Sequence, residues 1–366
     1  TVRSGVTVTA SSGNINIWAG DHVVIEETAQ LIAASDVNIF TDVATNAANS
    51  DGSSNLTGTD PVVVVQADRD DADGGDVTIA GAITAGNNVR IKTGASGPLD
   101  LAATDQRDVV TVTGTGSISA GGGINISTGA DVDVVTLSGM LNATAGAIDI
   151  ATGEGVGTVT INNSLAAGGQ ITITTGDDAD NVTLNSDLTA GGLIDIATGN
   201  GDGTVLINGA FDAGGRIGIT TGENRDIVTV SGAGSLSADQ QIEIATGAGA
   251  DDVTLTGDVT AGGLIDVATG EGVGIIGITG DLDAGGQIAI TTGDDRDDLT
   301  LDGDMTATGL IDIATGNGDG TVLINGAFDS GGRIGITTGD NRDIVTVSGT
   351  GSLSADQQIE IATGAG

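Results

Sequence analysis

The sequence has no Cys, two Pro (Pro61 and Pro98) and four aromatic residues in 366: Trp18, Phe40, Phe211 and Phe328. Without Cys there is neither a disulfide framework nor a thiolate metal site. Positive charge is scarce as well, with 10 Lys and Arg against 50 Asp and Glu, a formal net charge of −40. Such a chain repels nucleic acid and anionic lipid, both of which are bound through basic patches. No run of about 18 apolar residues occurs, so no segment reads as a membrane span. The scarcity of aromatics argues against one thick core, because large rings supply much of the burial there. What remains is Gly, at 64 residues, with Val, Ile, Leu and Ala in short alternating runs. Gly and Pro together stay below the roughly 25–30% expected of an aperiodic disordered chain. No Gly recurs at every third position as in collagen. Many thin, similar layers suit this composition, which directs attention to repeats.

A Thr-Gly pair following I-x-I-x marks the period, its Thr falling at Thr128, Thr152, Thr175, Thr198, Thr221, Thr246, Thr269, Thr292, Thr315, Thr338 and Thr363. Residues 175–197 hold three extended pieces, V-T-L, D-L-T-A and L-I-D-I, separated by Asn-Ser and Gly-Gly. Period-2 alternation bounded by Gly, Asn and Asp predicts strands, with no helical periodicity competing. Three short strands per repeat bury their apolar side chains when each unit forms one coil of a parallel β-solenoid. The fold class expected is therefore all-β, a right-handed parallel β-helix of about 23 residues per coil and about 15 coils, since left-handed hexapeptide helices use coils of about 18. The inward columns are Val182, Val205, Val228, Val253; Leu184, Ile207, Val230, Leu255; Leu188, Phe211, Leu236, Val259; Ala190, Ala213, Ala238, Ala261; and Ile196, Ile219, Ile244, Val267. The pairs Gly191-Gly192, Gly214-Gly215 and Gly262-Gly263 are expected at corners with positive φ.

The last column extends upstream irregularly through Ile17, Ile39, Val65, Ile91 and Ile126. Residues 1–127 thus read as irregular coils with polar insertions at about 41–61 and 95–106, and residues 128–366 as the regular solenoid. Residues 198–249 and 315–366 differ only at Ala213/Ser330, Glu223/Asp340 and Ala233/Thr350, a five-coil super-repeat of 117 residues. Neither end shows a polar cap, which an isolated solenoid needs. The expectation is a segment of a longer chain, or protomers associating end to end.

The loop after each Thr-Gly carries much of the charge. Candidate ligands there are Asp177, Asp178, Asp180, Glu223, Asp226, Asp251, Asp252, Asp294, Asp295, Asp297, Asp340 and Asp343. Stacked on one edge about 5 Å apart, carboxylates repel by roughly 1 kcal/mol per pair even in water. Arg225, Arg296 and Arg342 compensate part of this. Calcium is the other neutraliser, because it takes six to eight oxygen ligands. Residues 247–255, GAGADDVTL, fit the G-x-G-x-D-x-U-x calcium pattern, but with one loop per coil rather than one per nine residues. The alternative is a solvated acidic edge that keeps the solenoid soluble and blocks lateral aggregation.

Two acidic groups, Asp177, Asp178 and Asp180 or Asp294, Asp295, Asp297 and Asp298, could be taken for acid/base clusters. Short loops and missing aromatic platforms argue against a polysaccharide-active enzyme, and His22 alone reads as a surface or packing residue. An outward column, Thr136, Thr160, Thr183, Leu206, Thr229, Thr254, Gly277, Thr300, Leu323 and Thr346, is too interrupted for an ice-binding face and fits the preference of Thr for strands. Leu206 and Leu323 in it are expected to be exposed and to dock a neighbouring solenoid.

Residues 11–42, SSGNINIWAGDHVVIEETAQLIAASDVNIFTD, and 75–94, GDVTIAGAITAGNNVRIKTG, resemble filamentous-haemagglutinin-type exoproteins and other giant bacterial surface adhesins. The resemblance implies a β-helical shaft exported to the bacterial surface or medium. The longer acidic loops and near-identical duplications favour a spacer or filament role, non-enzymatic, with lateral bundling and calcium rigidification as further expectations. A binding module engaging a receptor, surface or ice is the alternative, and a polysaccharide-active enzyme the third.

Overall fold

The computed structural model describes residues 1–19, 22–41, 75–93, 107–130 and 132–365. It is an all-β parallel solenoid of about 13 coils of about 23 residues. Contacts divide the chain into two compact units, Thr1–Gly176 and Asp177–Gly366.

In the second unit each coil supplies one strand to each of three parallel sheets, as in Asn181–Leu184, Leu188–Ala190 and Ile194–Ala197. These are called the first, second and third sheets below. Stacking in register follows from the repeat. Val182 pairs with Val205, Val205 with Val228 and Val228 with Val253. Leu188, Phe211, Leu236 and Val259 succeed one another in the second sheet, and Ile196, Ile219, Ile244 and Val267 in the third. All five expected columns are inside, none of their members more than 5% exposed. A sixth column, Ile194, Ile217, Ile242 and Ile265, shares the third sheet's inner face and is fully buried. Because side chains alternate along a strand, every second residue of I-D-I or V-T-L faces out.

The first unit obeys the same rule. Its third sheet stacks Ile17 on Ile39, Ile39 on Ile91, Ile91 on Ile126 and Ile126 on Ile150. Ile39 therefore meets Ile91 directly. Val65, expected between them, lies outside the described residues, and the coil count is about 13 against the expected 15. The expected insertions at about 41–61 and 95–106 also lie outside the described residues, except for Thr41.

The Gly-Gly corners correct a second expectation. Gly214, Gly215, Gly262 and Gly263 do not have positive φ. Close stacking requires glycine there instead: a Cβ on Gly214 would stand 2.6 Å from the Gly191 carbonyl oxygen one coil earlier. Left-handed backbone is found after the marker Thr, at Gly153, Gly199, Gly222, Gly247 and Gly270.

Candidate functional site

The corner joining the third sheet to the first holds the acidic loops, and it is built on Thr. The marker residues Thr198, Thr221, Thr246 and Thr269 come directly after their strands and are at most 1% exposed. The Gly that follows turns the chain. At Gly247, with φ +76°, the Gly222 carbonyl occupies the place of a Cβ. Asn224 and Asn341 also take positive φ, a conformation Asn tolerates better than most residues.

Five positions after the Thr, the chain re-enters the interior on Asp or Gly. Here the structure departs from the expected solvent-facing edge. Asp180, Asp226, Asp251 and Asp297 are at most 1% exposed, as are Asp108 and Asp133 in the first unit. Asp343 is half-buried. The reason is a deficit of acceptors where the ladder is interrupted at the corner. Asp108 Oδ1 accepts the Gly75 N–H at 2.6 Å, and Asp133 Oδ1 the Asp108 N–H at 3.0 Å. Asp226 accepts from Gly203 at 2.6 Å, Asp251 from the Asp226 N–H at 2.9 Å, Asp297 from Gly274 at 2.6 Å and Asp343 from Gly320 at 2.9 Å. Each of these six carboxylates thus reaches back one coil to a backbone N–H. The Thr246 and Thr292 hydroxyls donate to the second oxygens of Asp251 and Asp297, at 2.9 and 2.6 Å.

Burial has the expected electrostatic effect. It raises the Asp226 pKa to about 6, with Asp251 and Asp202 adding to the rise and the Gly203 N–H restraining it. Asp251 is raised by burial and restrained by the Asp226 N–H, Thr246 and Arg225. Asp297 is raised in the same way, against the Thr292 and Gly274 donors.

The outward acids run the opposite way along the solenoid. Asp177 Oδ1 accepts the N–H and the side-chain amide of Asn200 at 2.9 and 3.2 Å, and Asn200 accepts the Glu223 N–H at 3.3 Å. Asp294, Asn317 and Asp340 repeat the series five coils on. At the first corner, Asp258 accepts the Asp281 N–H, Asp281 that of Asp304, and Asp304 that of Ala327, at 2.7–3.1 Å. Asp178 and Asp295 are exposed, and Asp252 lies on a strand where it accepts the Thr254 hydroxyl at 3.2 Å.

Of the loop arginines, Arg296 pairs with Asp298 at 3.0 Å in an exposed setting. The firmer bridges lie elsewhere. On the outer face of the third sheet, Arg216 meets Asp195 at 3.1 Å and Glu243 at 3.3 Å, and Arg333 meets Asp312 at 3.2 Å and Glu360 at 3.7 Å. Gly218 makes room, since its added Cβ would stand 3.4 Å from the Arg216 Cζ. The signal was R-I-G-I where other coils read I-D-I or I-E-I. Asp266, next to Glu243 in the same column, has its pKa raised by burial and by that neighbour.

The outward Thr column stacks as expected, Thr183 on Leu206 on Thr229 on Thr254. Leu206 and Leu323 are half-buried rather than exposed, because flanking residues of adjacent rungs cover them. His22 lies on an exposed strand position 3.5 Å from Asp76. The two acid/base groups do not stay together as clusters: Asp180 and Asp297 turn inward while Asp177, Asp178, Asp294 and Asp295 turn out. Among the described residues no group of three or more His, Asp or Glu is placed to hold a metal ion. No helix among them is long and apolar enough to cross a membrane. Compared with protein-family models, with curated proteins and with solved structures, the chain matches none.

Proposed function

We propose that the chain is a structural segment, the stalk of an extracellular filament or of a bacterial surface adhesin, and that it is not an enzyme. One observation carries this reading. The same side-chain columns and the same carboxylate-to-backbone bonds recur coil after coil, so the chemistry of the acidic corner is spent on the neighbouring coil. Asp226 bonds Gly203, Asp251 bonds Asp226, and Asp281 bonds Asp304. A site for a substrate needs several free groups gathered in one place. A stalk needs none, and gains stiffness from continuous backbone pairing reinforced at each corner.

Further units associating end to end, or a longer chain continuing the solenoid, suit this role. Calcium on the outward carboxylates Asp177, Asp178, Glu223, Asp294, Asp295 and Asp340 would add to the rigidity. A second reading, a binding module, draws on one feature: both long insertions enter at the acidic corner, after Thr41 and after Thr93. A ligand engaged by those insertions would make the regular coils their support.

Electron microscopy of the producing cell's surface with an antibody to this chain tests the first reading. Label along extended fibres is expected, and label confined to compact particles overturns it. Glycan-array binding by the chain favours the module instead, and turnover of an acidic polysaccharide favours an enzyme.

A further inference from the structure

The coils that begin at Thr198, Thr221 and Thr246 meet inside the acidic corner around Asp226. Its carboxylate is fully buried. Oδ1 is occupied by the Gly203 N–H at 2.6 Å. Oδ2 is also buried and has no hydrogen-bond partner. Its neighbour Thr221 has one hydroxyl proton to give, and directs it to the Thr246 carbonyl at 3.3 Å. The next rung is different: Oδ2 of Asp251 receives the Thr246 hydroxyl at 2.9 Å. The charged groups that face Asp226 are carboxylates, Asp202 from the preceding coil and Asp251 from the following one. The guanidinium in this loop, Arg225, acts on Asp251.

A buried carboxylate between two others, with an oxygen that nothing donates to, is a poor anion and holds a proton more readily than an ordinary carboxyl. Protonated on Oδ2, it becomes a donor, and Thr221 Oγ1 has a lone pair to receive it because its own proton is committed onward. We propose that Asp226 takes up a proton in mildly acidic medium and completes a relay from Oδ2–H to the Thr221 hydroxyl to the Thr246 carbonyl. With the Gly203 N–H already on Oδ1, that relay ties three successive coils together at their interior corner. Acid therefore tightens this part of the solenoid, the reverse of the usual acid loosening, and it does so whether or not the chain serves as a stalk.

The elevated pKa, about 6, agrees with this geometry. A carboxyl group whose folded pKa lies above its unfolded value of about 3.9 gives stability that is fully present below the unfolded value. That contribution is lost as pH rises through the folded value.

Thermal unfolding of the full chain from about pH 8 to about pH 5 tests the inference in wild type, Asp226→Asn and Asp212→Asn. Asp212 is exposed on a strand of the preceding coil, so its variant controls for the loss of one charge. The wild type and Asp212→Asn are expected to gain Tm in parallel on acidification. Asp226→Asn is expected to start higher at pH 8 and to gain less. A slope for Asp226→Asn parallel to the other two overturns the proposal. Should that variant fail to fold, aspartate-Cγ-labelled wild type answers by ¹³C titration. A carboxyl titrating near pH 6 whose midpoint moves in Thr221→Val supports the relay. If every carboxyl titrates in the ordinary range, or none responds to Thr221→Val, the relay is wrong.

Discussion

Asp251 separates two accounts of the acidic corner, hydrogen-bond acceptor or charge. Its side chain is 1% exposed, Oδ1 accepts the Asp226 N–H at 2.9 Å, and Oδ2 accepts the Thr246 hydroxyl at 2.9 Å. Asp251→Ala leaves a buried N–H without an acceptor, which costs about 1–3 kcal/mol, and loses the ordinary worth of the hydroxyl bond, about 1 kcal/mol. Removing a carboxylate whose pKa burial has raised gives part of this back at neutral pH. The expected net loss is about 2–3 kcal/mol. Asp251→Asn keeps a carbonyl oxygen for the Asp226 N–H, and its amide can donate to the Thr246 oxygen. It should cost less than about 1 kcal/mol or stabilise. Urea unfolding followed by circular dichroism reads both values as midpoint shifts at unchanged slope. Amide exchange at Asp226 locates the loss, and should quicken in the Ala variant alone. If Asn proves as damaging as Ala, the carboxylate is wanted for its charge and the acceptor account fails.

Three other expectations can be checked on the same material. Gly247→Ala, at φ +76° with the Gly222 carbonyl in the way, should cost more than about 1 kcal/mol, whereas Gly277→Ala, with nothing within 4 Å, should be neutral or mildly stabilising; comparable urea midpoints for the two would contradict this. Arg216→Ala should cost under about 1 kcal/mol for a partly exposed bridge, and the difference should shrink at high salt, a prediction that a salt-independent loss would defeat. Millimolar calcium should raise Tm above what an equal ionic strength of sodium chloride does if the outward acids bind it, and equal shifts would remove calcium from the account.

The apolar half of this architecture was legible because its period is simple. Val182, Leu188 and Ile196 each recur one coil later in the same register, and nothing in the packing competes with that order. The polar interior was harder to read. An Asp five residues after Thr looks like any loop acid, and hydropathy assigns it to solvent. Only the alternation of Asp with Gly in that column, Asp180 with Gly203 and Asp297 with Gly320, hinted that the position is enclosed. The upstream part of the Ile column was read with a rung between Ile39 and Ile91, yet these two pair directly. Periodicity shows what could be a rung, and backbone pairing decides which candidate is one.

The sign of the net charge follows from the same corners. A coil that turns three times leaves backbone N–H groups that the sheets do not pair, and these need oxygen acceptors from side chains. Lys and Arg carry donors only, whereas Asp offers two acceptor oxygens on a short stem. Stacked at about 4.8 Å, the acids would repel by roughly 1 kcal/mol per neighbouring pair, and the sequence relieves this in three ways. Asn200 and Asn317 stand between two acids, accepting like a carboxylate while donating to the one before. Arg216 and Arg333 reach across a Gly to join acids two coils apart. Inside, burial favours protonation, so that a rung such as Asp226 can do without its charge. A charge of −40 is then the consequence of supplying acceptors to repeated corners, and any lengthening of the solenoid by the same coil should make the chain more acidic in proportion.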